Sequence, residues 1–329
     1  MKDEGPGERQ EDLTTGLVLA ERLNNRILDV RVAANNAIFR LMSGVLELTD
    51  EFHIKNNFNW TPTPQLVGYM VDGDDDYFPI SYYNHLGAWL VQTAEFHQQM
   101  ALSTDLPRVF EIRSMFRAEQ QVLKRRLAES DWHEAPDTAE EFFVFVLRGL
   151  QERAKISKLI DVAKTLLKYS EAKRILREEA NYQTGDGDDL SHKEEAILGR
   201  LMSNPPKGSS LASYPPTDVF LIIDHPAHLR PFQTHPSFSS DANGIPTSNS
   251  TGYQQIHDYG LLRKAMQTRS PPLDPDSPMW RPYLTAFETG IHPHGNYRVG
   301  LNRLLQGFLG LGDVHETKLF PRDVSRITP

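Results

Sequence analysis

From Ala34 onward, apolar residues recur three and four positions apart, at Ile38, Leu41, Met42, Val45, Leu48 and Phe52. That spacing places them on one face of a helix about five turns long, with Asn35 or Asn36 as the N-cap by residue type. The period then changes. Tyr77–Tyr83, YFPISYY, is rich in aromatic and β-branched residues and predicts a strand. Phe110–Glu119, FEIRSMFRAE, is a second β-compatible run, and Asp218–Pro236, DVFLIIDHPAHLRPFQTHP, reads as a buried strand that runs into a turn. Between them, Asp137–Met202 is dense in helix formers, and Ser191 and Glu194 carry the spacing of a capping box. NYQTGDGDDL interrupts that stretch as a loop, and NPPKGSSLASYPP (204–216) reads as a return linker. Met279–Thr289 predicts a short helix, whereas SFSSDANGIPTSNSTGYQQIHD has no apolar period. Met1–Thr14 is charged and aperiodic, which predicts a disordered tail over about the first 22 residues.

Composition narrows the class. The 329 residues suffice for one elaborate domain or two. Lys and Arg number 35 against 44 Asp and Glu, a net charge of -9. A dedicated DNA or RNA binder, whose affinity rests on Lys and Arg neutralising phosphates, is therefore disfavoured, although a local basic groove remains open. There is no cysteine, hence no disulfide and no thiolate metal site. No apolar run approaches the roughly 18 residues of a membrane span, and the acidic, polar first residues do not form a signal or transit peptide. The cytosol is the expected compartment.

The chemistry concentrates at the end of FEIRSMFRAE. In an extended strand residues two apart share a face, so Arg117 and Glu119 would project together. A guanidinium offers a phosphate two parallel donors, and a carboxylate beside it can hold an ammonium group or an adenine edge. A surface ion pair is the alternative. Lys124, Arg125 and Arg126 follow as a basic triplet that is either a solvated loop or a phosphate contact. Asp72–Asp76 is an acidic loop with a glycine, and His257 reads as structural.

FEIRSMFRAE resembles motif 2 of class II aminoacyl-tRNA synthetases. NYRVGLNRLLQGFLGLGDVHETKLFPRD (296–323) resembles their motif 3 in its aspartyl form, and RILDVRVAANNAIFRLMSGVLEL with NWTPTPQL (26–48 and 59–66) resembles motif 1. The three motifs stand in family order over residues 23–329. The resemblance implies an α+β fold: an antiparallel sheet flanked by helices, with a helical insertion at 138–203. It implies a homodimer through residues of about 34–66, and ATP with Mg²⁺ as cofactors. Arg117, Glu119, Arg125 and Arg303 would bind ATP, with Arg117 and Arg303 catalytic. The amino acid would be bound by Asp72 on a mobile loop and by Gln92, Glu95, Gln98 and Gln255, with Asp241 on the metal. The basic triplet would meet the acceptor end of tRNA. The family's N-terminal anticodon-reading OB-fold has no counterpart in this sequence.

Departures from the family bear on substrate choice. Gln98 stands where aspartyl enzymes place the lysine that pairs with the substrate's side-chain carboxylate, and Gln255 where they place the arginine that reads it. A neutral amide cannot supply the charge a buried carboxylate requires. Ser248 falls at the second Mg²⁺-ligand position, Ser130 at an adenine-stacking phenylalanine with Trp132 nearby, Asn302 at a glutamate, and Arg298 at a glycine that admits the backbone to ATP, a steric objection. Two functions follow as expectations. One is an adenylate-forming ligase that activates a carboxylate other than free aspartate for transfer to tRNA or another acceptor. The other is a catalytically weak pseudosynthetase serving as a dimeric scaffold.

Overall fold

A computed structural model describes residues 18–70, 77–116, 126–129, 135–153, 166–235, 247–248, 252–323 and 326–327. In chain order the elements are α1 (Leu19–Asn24), α2 (Arg26–Asp29), α3 (Ala33–Lys55), β1 (Asn59–Trp60), β2 (Leu66–Val67), β3 (Pro79–Ser81), β4 (Gly87–Leu90), α4 (Glu95–Leu102), β5 (Arg108–Glu111) and β6 (Arg126–Glu129). They continue with α5 (Ala135–Arg153), β7 (Leu166–Lys168), α6 (Tyr169–Glu178), α7 (His192–Ser203), β8 (Leu221–Ile223), β9 (His225–Pro226), β10 (Thr247–Ser248), β11 (Gly252–Gln254), α8 (Tyr259–Thr268), α9 (Arg281–Glu288), β12 (Gly295–Tyr297) and α10 (Leu301–Leu309).

Among the described residues, five strands form the central sheet in the order β1-β5-β6-β12-β11. The β1–β5 pair is parallel and the others are antiparallel, with Phe110 opposite Leu127 and Asn296 opposite both Ala128 and Tyr253. Strand alternation gives the sheet two dry faces. Phe110, Tyr297 and Val299 join α3, α5 and α10 in one core, whereas neighbouring Val109 joins α4, α8 and α9 in another. Leu167, Ile175, Leu176, Leu198 and Met202 make a third, smaller core from β7, α6, α7 and their surroundings.

The expected face of α3 is buried: Ile38, Val45, Leu48 and Phe52 enter the first core, and Leu41 and Met42 pack partly against it. Its N-cap differs from expectation. Val32 caps the helix, Asn36 accepts from Arg40, and Asn35 donates to Asp29 (2.8 Å), so a buried tertiary bond outcompetes local capping.

One residue joins the helix α3 to the second and third motif segments. His53, fully buried, donates from Nδ1 to the Thr49 carbonyl (2.6 Å) and accepts the Tyr297 hydroxyl at Nε2 (2.8 Å). Its ring stacks on Phe110 at 4.8 Å. Burial lowers its pKa to about 4, so the ring is neutral and the donor–acceptor assignment is fixed.

Three other expectations are revised. Within the described part of the run, 110–116, the strand ends at Glu111 and residues 112–116 are irregular. There Glu111 accepts from Thr63 (2.8 Å to Oγ1) while Arg113 donates to the carbonyls of Thr63 and Pro64 (3.1 Å each), so side-chain ties to the segment after β1 replace the ladder. The stretch 218–236 breaks into β8 and β9 because Asp224, between them, takes φ 58°. Among the described residues the helical stretch 138–203 is divided: α5 packs in the first core with α3, whereas α6 and α7 pack with β7 in the third.

The third core rests on its expected cap. The Ser191 side chain accepts from Glu194 N, and the Glu194 carboxylate accepts from Ser191 N (2.8 Å). Glu194 also takes Lys173 (3.0 Å), whose side chain is fully buried. Ser191→Ala is expected to cost this unit about 1 kcal/mol. Amide exchange should quicken in α6 and α7 while α3 keeps its protection; equal acceleration in α3 would refute a local role.

Candidate active site

Motif 3 supplies the site by strand alternation. Tyr297 and Val299 face the first core, so Asn296 and Arg298 point the other way, toward α4. There they meet Glu95, in the first turn of α4 and 1% exposed. Asn296 Nδ2 donates to Glu95 Oε1 (2.8 Å) and the Arg298 guanidinium pairs with Oε2. Gln255, just past β11 and fully buried, presents its amide nitrogen to Glu95 Oε1 (3.1 Å) and to the Gln233 carbonyl (3.0 Å), the orientation that avoids oxygen against oxygen.

A neutral relay lies beside this cluster. Tyr283 donates to Gln99 Oε1 (2.8 Å), Gln99 donates to His294 Nε2 (2.9 Å), and His294 Nδ1 donates to the His292 carbonyl (2.8 Å). Burial lowers His294 to about 4 and raises Tyr283 well above its usual value, so both stay uncharged and their proton positions are set by their partners. His257 is half-buried and stacks on His235 at 6.1 Å; burial, then the His235 charge, lowers its pKa.

Of the residues singled out in the sequence, Glu95 and Gln255 meet directly. Gln92 and Gln98 are also buried, and Gln98 Nε2 has no hydrogen-bond partner among the described residues. Arg303 lies elsewhere, exposed in the first turn of α10 with its stem against Gly300. It makes no hydrogen bond or ion pair among the described residues. Lys318 is buried and lowered in pKa by that burial, with the Arg303 charge adding to the effect against the pull of Asp313 and Asp323. Asn302 donates to Thr317 (3.0 Å to Oγ1) and so fixes α10 to the 3-10 turn at Val314–Thr317. Asp72, Arg117, Glu119, Lys124, Arg125, Ser130, Trp132 and Asp241 lie outside the described residues. Ser248 contributes its backbone to β10, opposite His225. Among the described residues no group of three or more His, Asp or Glu could hold a metal ion, and no helix is long and apolar enough to cross a membrane.

Sequence reasoning missed the partner of Arg298. A cation at a glycine position reads as a steric obstruction; its guanidinium folds back onto Glu95, and its side chain is 21% exposed. The signal was available, because in Asn296-Tyr297-Arg298-Val299 the polar and apolar residues alternate, which places two donors on one face.

A mainly antiparallel sheet, with a motif 1 helix behind it and an arginine opening the helix after its fourth strand, defines a class II synthetase catalytic fold. The chain belongs to the class II tRNA synthetases of the D, K and N group, whose family model matches residues 19–324. It is similar to the cytoplasmic aspartate–tRNA ligase of Homo sapiens, 32% identical over 343 residues that cover 94% of this chain and 64% of that protein. It is also similar to the aspartate–tRNA(Asp/Asn) ligase of Methanosarcina barkeri, 30% identical over 96% of this chain and 74% of that one. Among solved structures, the aspartyl-tRNA synthetase of Entamoeba histolytica aligns with TM-score 0.74 and 27% identity, covering 95% of this chain and 64% of that one. The asparaginyl-tRNA synthetase of Pyrococcus horikoshii, solved with asparaginyl-adenylate, shares the fold at TM-score 0.79 and 22% identity, covering 95% and 74%. The chain thus spans slightly under two thirds of the human relative it matches.

Proposed function

We propose that this chain is the catalytic unit of an ATP-dependent ligase of the aspartyl-tRNA synthetase kind. It activates a carboxylate other than free aspartate and passes the acyl group to a tRNA acceptor end or another acceptor. The observation that carries this reading is Arg303: an exposed guanidinium, without partner among the described residues, at the N-terminal turn of α10 where motif 3 of the family ends. A triphosphate fits that setting, since a planar, permanently charged donor group suits phosphate oxygens and a helix N-terminus favours an anion. Arg117, Glu119 and Arg125 would complete the nucleotide contacts. Asp241 and the substrate phosphates would hold Mg²⁺, which when bound offsets phosphate charge; Ser248 in place of a second carboxylate makes that site weaker.

In this reading a substrate carboxylate oxygen attacks the α-phosphorus, the bond to pyrophosphate breaks, and the guanidinium groups stabilise the charge that develops. Gln98 and Gln255, neutral where aspartyl enzymes carry cations, argue against aspartate. Dimerisation through residues of about 34–66 is supported by apolar side chains left in solvent nearby, among them Ile27 (65% exposed), Trp60 (61%) and Leu66 (46%).

Amino-acid-dependent ATP–pyrophosphate exchange, run across the twenty amino acids, tests the proposal. Arg303→Ala and Arg117→Ala are each expected to reduce exchange by about a hundredfold or more, and Arg303→Ala, being a surface change, should leave the melting temperature in place. The Glu95–Arg298 pair favours a second reading, a dimeric scaffold with little catalysis, because it fills the substrate side with the chain's own ions. Absence of exchange with every amino acid, together with no thermal shift in Mg-ATP, would leave that reading standing.

A further inference from the structure

We propose that Glu95 is a carboxylate built into the amino-acid side of the site, where it occupies the donors that an acidic substrate would need and so selects a substrate with an uncharged polar side chain. This rests on the ligase reading for the location of the substrate, and it assigns the specificity-determining residue.

The donors come from three separate elements. Asn296 is on β12, Arg298 follows that strand, and Gln255 follows β11, yet all three converge on one carboxylate in the first turn of α4. The plainer role for an acidic residue at this position is compensation of the helix dipole at a solvated end. Glu95 is 1% exposed, and its carboxylate is aimed away from its own helix into a strand-borne guanidinium and two amides, so the dipole does not account for the arrangement.

Charge counting gives the consequence. The positions implied as substrate-reading cations are Gln98 and Gln255, and the one guanidinium in the cluster, Arg298, is already paired with Glu95. A second carboxylate brought by a ligand against the Glu95 cluster would meet a buried carboxylate and, among the described residues of that cluster, no uncommitted cation. Like charges in such a setting repel strongly, and an anion stripped of water without a counter-charge is costly. An uncharged polar group meets the opposite situation. Among the described residues, Gln98 Nε2 is a buried donor without a hydrogen-bond partner, and Asn296 Oδ1 is a buried acceptor without one. A side-chain amide or hydroxyl carries both complementary functions, and buried polar atoms left without partners are uncommon enough to point to a ligand.

The full chain is titrated calorimetrically with aspartate, asparagine and serine in the presence of α,β-methylene-ATP. Asparagine or serine is expected to bind, and aspartate at least about tenfold more weakly. Glu95→Gln keeps the shape and frees the guanidinium, so it should raise the ratio of aspartate to asparagine affinity about tenfold or more, and Arg298→Met added to it should abolish that gain. Because a freed guanidinium can also unsettle the fold, Glu95→Ala supplies a second reading: millimolar acetate should raise its melting temperature, and not that of the wild type or of Glu95→Ala/Arg298→Met. Wild-type protein that binds aspartate as tightly as asparagine, a ratio unmoved by Glu95→Gln, no binding of any of the three, or no acetate rescue would each overturn the proposal. Exchange activity with aspartate as the best substrate would sink this inference and leave the ligase standing. Selective binding of uncharged amino acids without any exchange would do the reverse.

Discussion

Lowering the pH from 6.5 toward 4 is expected to strip several kcal/mol from the stability of this fold, well before its carboxylates titrate. The largest shares come from two buried histidines, His53 and His294, and from the half-buried His225. Burial lowers His53 and His294 to about 4, and burial followed by the charge of Arg230 lowers His225 to about 3. Each returns to an ordinary value near 6.5 when the chain unfolds. Between those limits the unfolded chain binds the proton and the folded chain does not, so stability is complete above pH 6.5 and falls as pH descends through the window. Each histidine contributes a slope of about 1.4 kcal/mol per pH unit, and the three together at most about 4 kcal/mol per unit. Against a typical total of about 5–15 kcal/mol, that places acid unfolding between pH 4 and 5. Glu194 acts in a different window. Burial alone would raise it, but hydrogen bonds from Ser191, Thr184 and Lys173 hold it at about 2, so its share is present above pH 4.5 and lost only as pH falls further. Urea denaturation at pH 7, 6 and 5 reads the slope directly, and His53→Phe should remove at most about a third of it. Stability that stays flat from pH 6.5 to 5 would contradict the prediction.

His53 also marks the limit of what the sequence revealed. The α3 face was legible because six apolar residues at helical spacing define it without reference to any partner, and the Ser191–Glu194 cap because both members sit three residues apart in the chain. A lone histidine near the end of a helix carries no such signal. What makes His53 central is the arrival of Tyr297 and Phe110 from remote strands, a fact of tertiary structure. The site divides in the same way. Alignment with the family marks Glu95, Gln98, Gln255 and Arg303 as candidates, and charge comparison singles out Gln98 and Gln255 as departures. The pairing of Glu95 with Arg298 needed the sheet register, which sets Asn296 and Arg298 on the face that α4 covers. In FEIRSMFRAE the residues 112–116 are irregular although β-compatible, because period-two content is common to true ladders and to segments held by side chains, as Glu111 and Arg113 hold this one to Thr63 and Pro64.

Replacing Asp29 with alanine is expected to cost about 3–5 kcal/mol, more than any surface change in this chain. Its carboxylate, 3% exposed, takes Arg22 Nε (2.9 Å), the Arg26 guanidinium and Asn35 Nδ2 (2.8 Å), all of them buried. Removing it leaves two guanidinium groups in a poorly solvated space. Glu316 offers Arg22 one remaining carboxylate oxygen (3.1 Å), and the Glu316 and Lys318 carbonyls offer Arg26 only dipoles (2.8 and 2.9 Å). Asp29→Asn keeps the shape and loses the charge, so its cost should be intermediate. Arg22→Met should cost less still, because Asp29 then retains Arg26. The effect should also reach the proposed nucleotide side. Arg22 and Arg26 tie α1 and α2 to the turn at Val314–Thr317, that turn is fastened to α10 through Asn302 and Thr317, and α10 carries Arg303. ATP–pyrophosphate exchange by Asp29→Ala should therefore fail at a lower temperature than exchange by the wild type, in step with its denaturation. A loss of stability below about 1 kcal/mol, the range of solvated surface pairs, would show that the network is open to water and that α1 and α2 are not fixed to the C-terminal segment in solution.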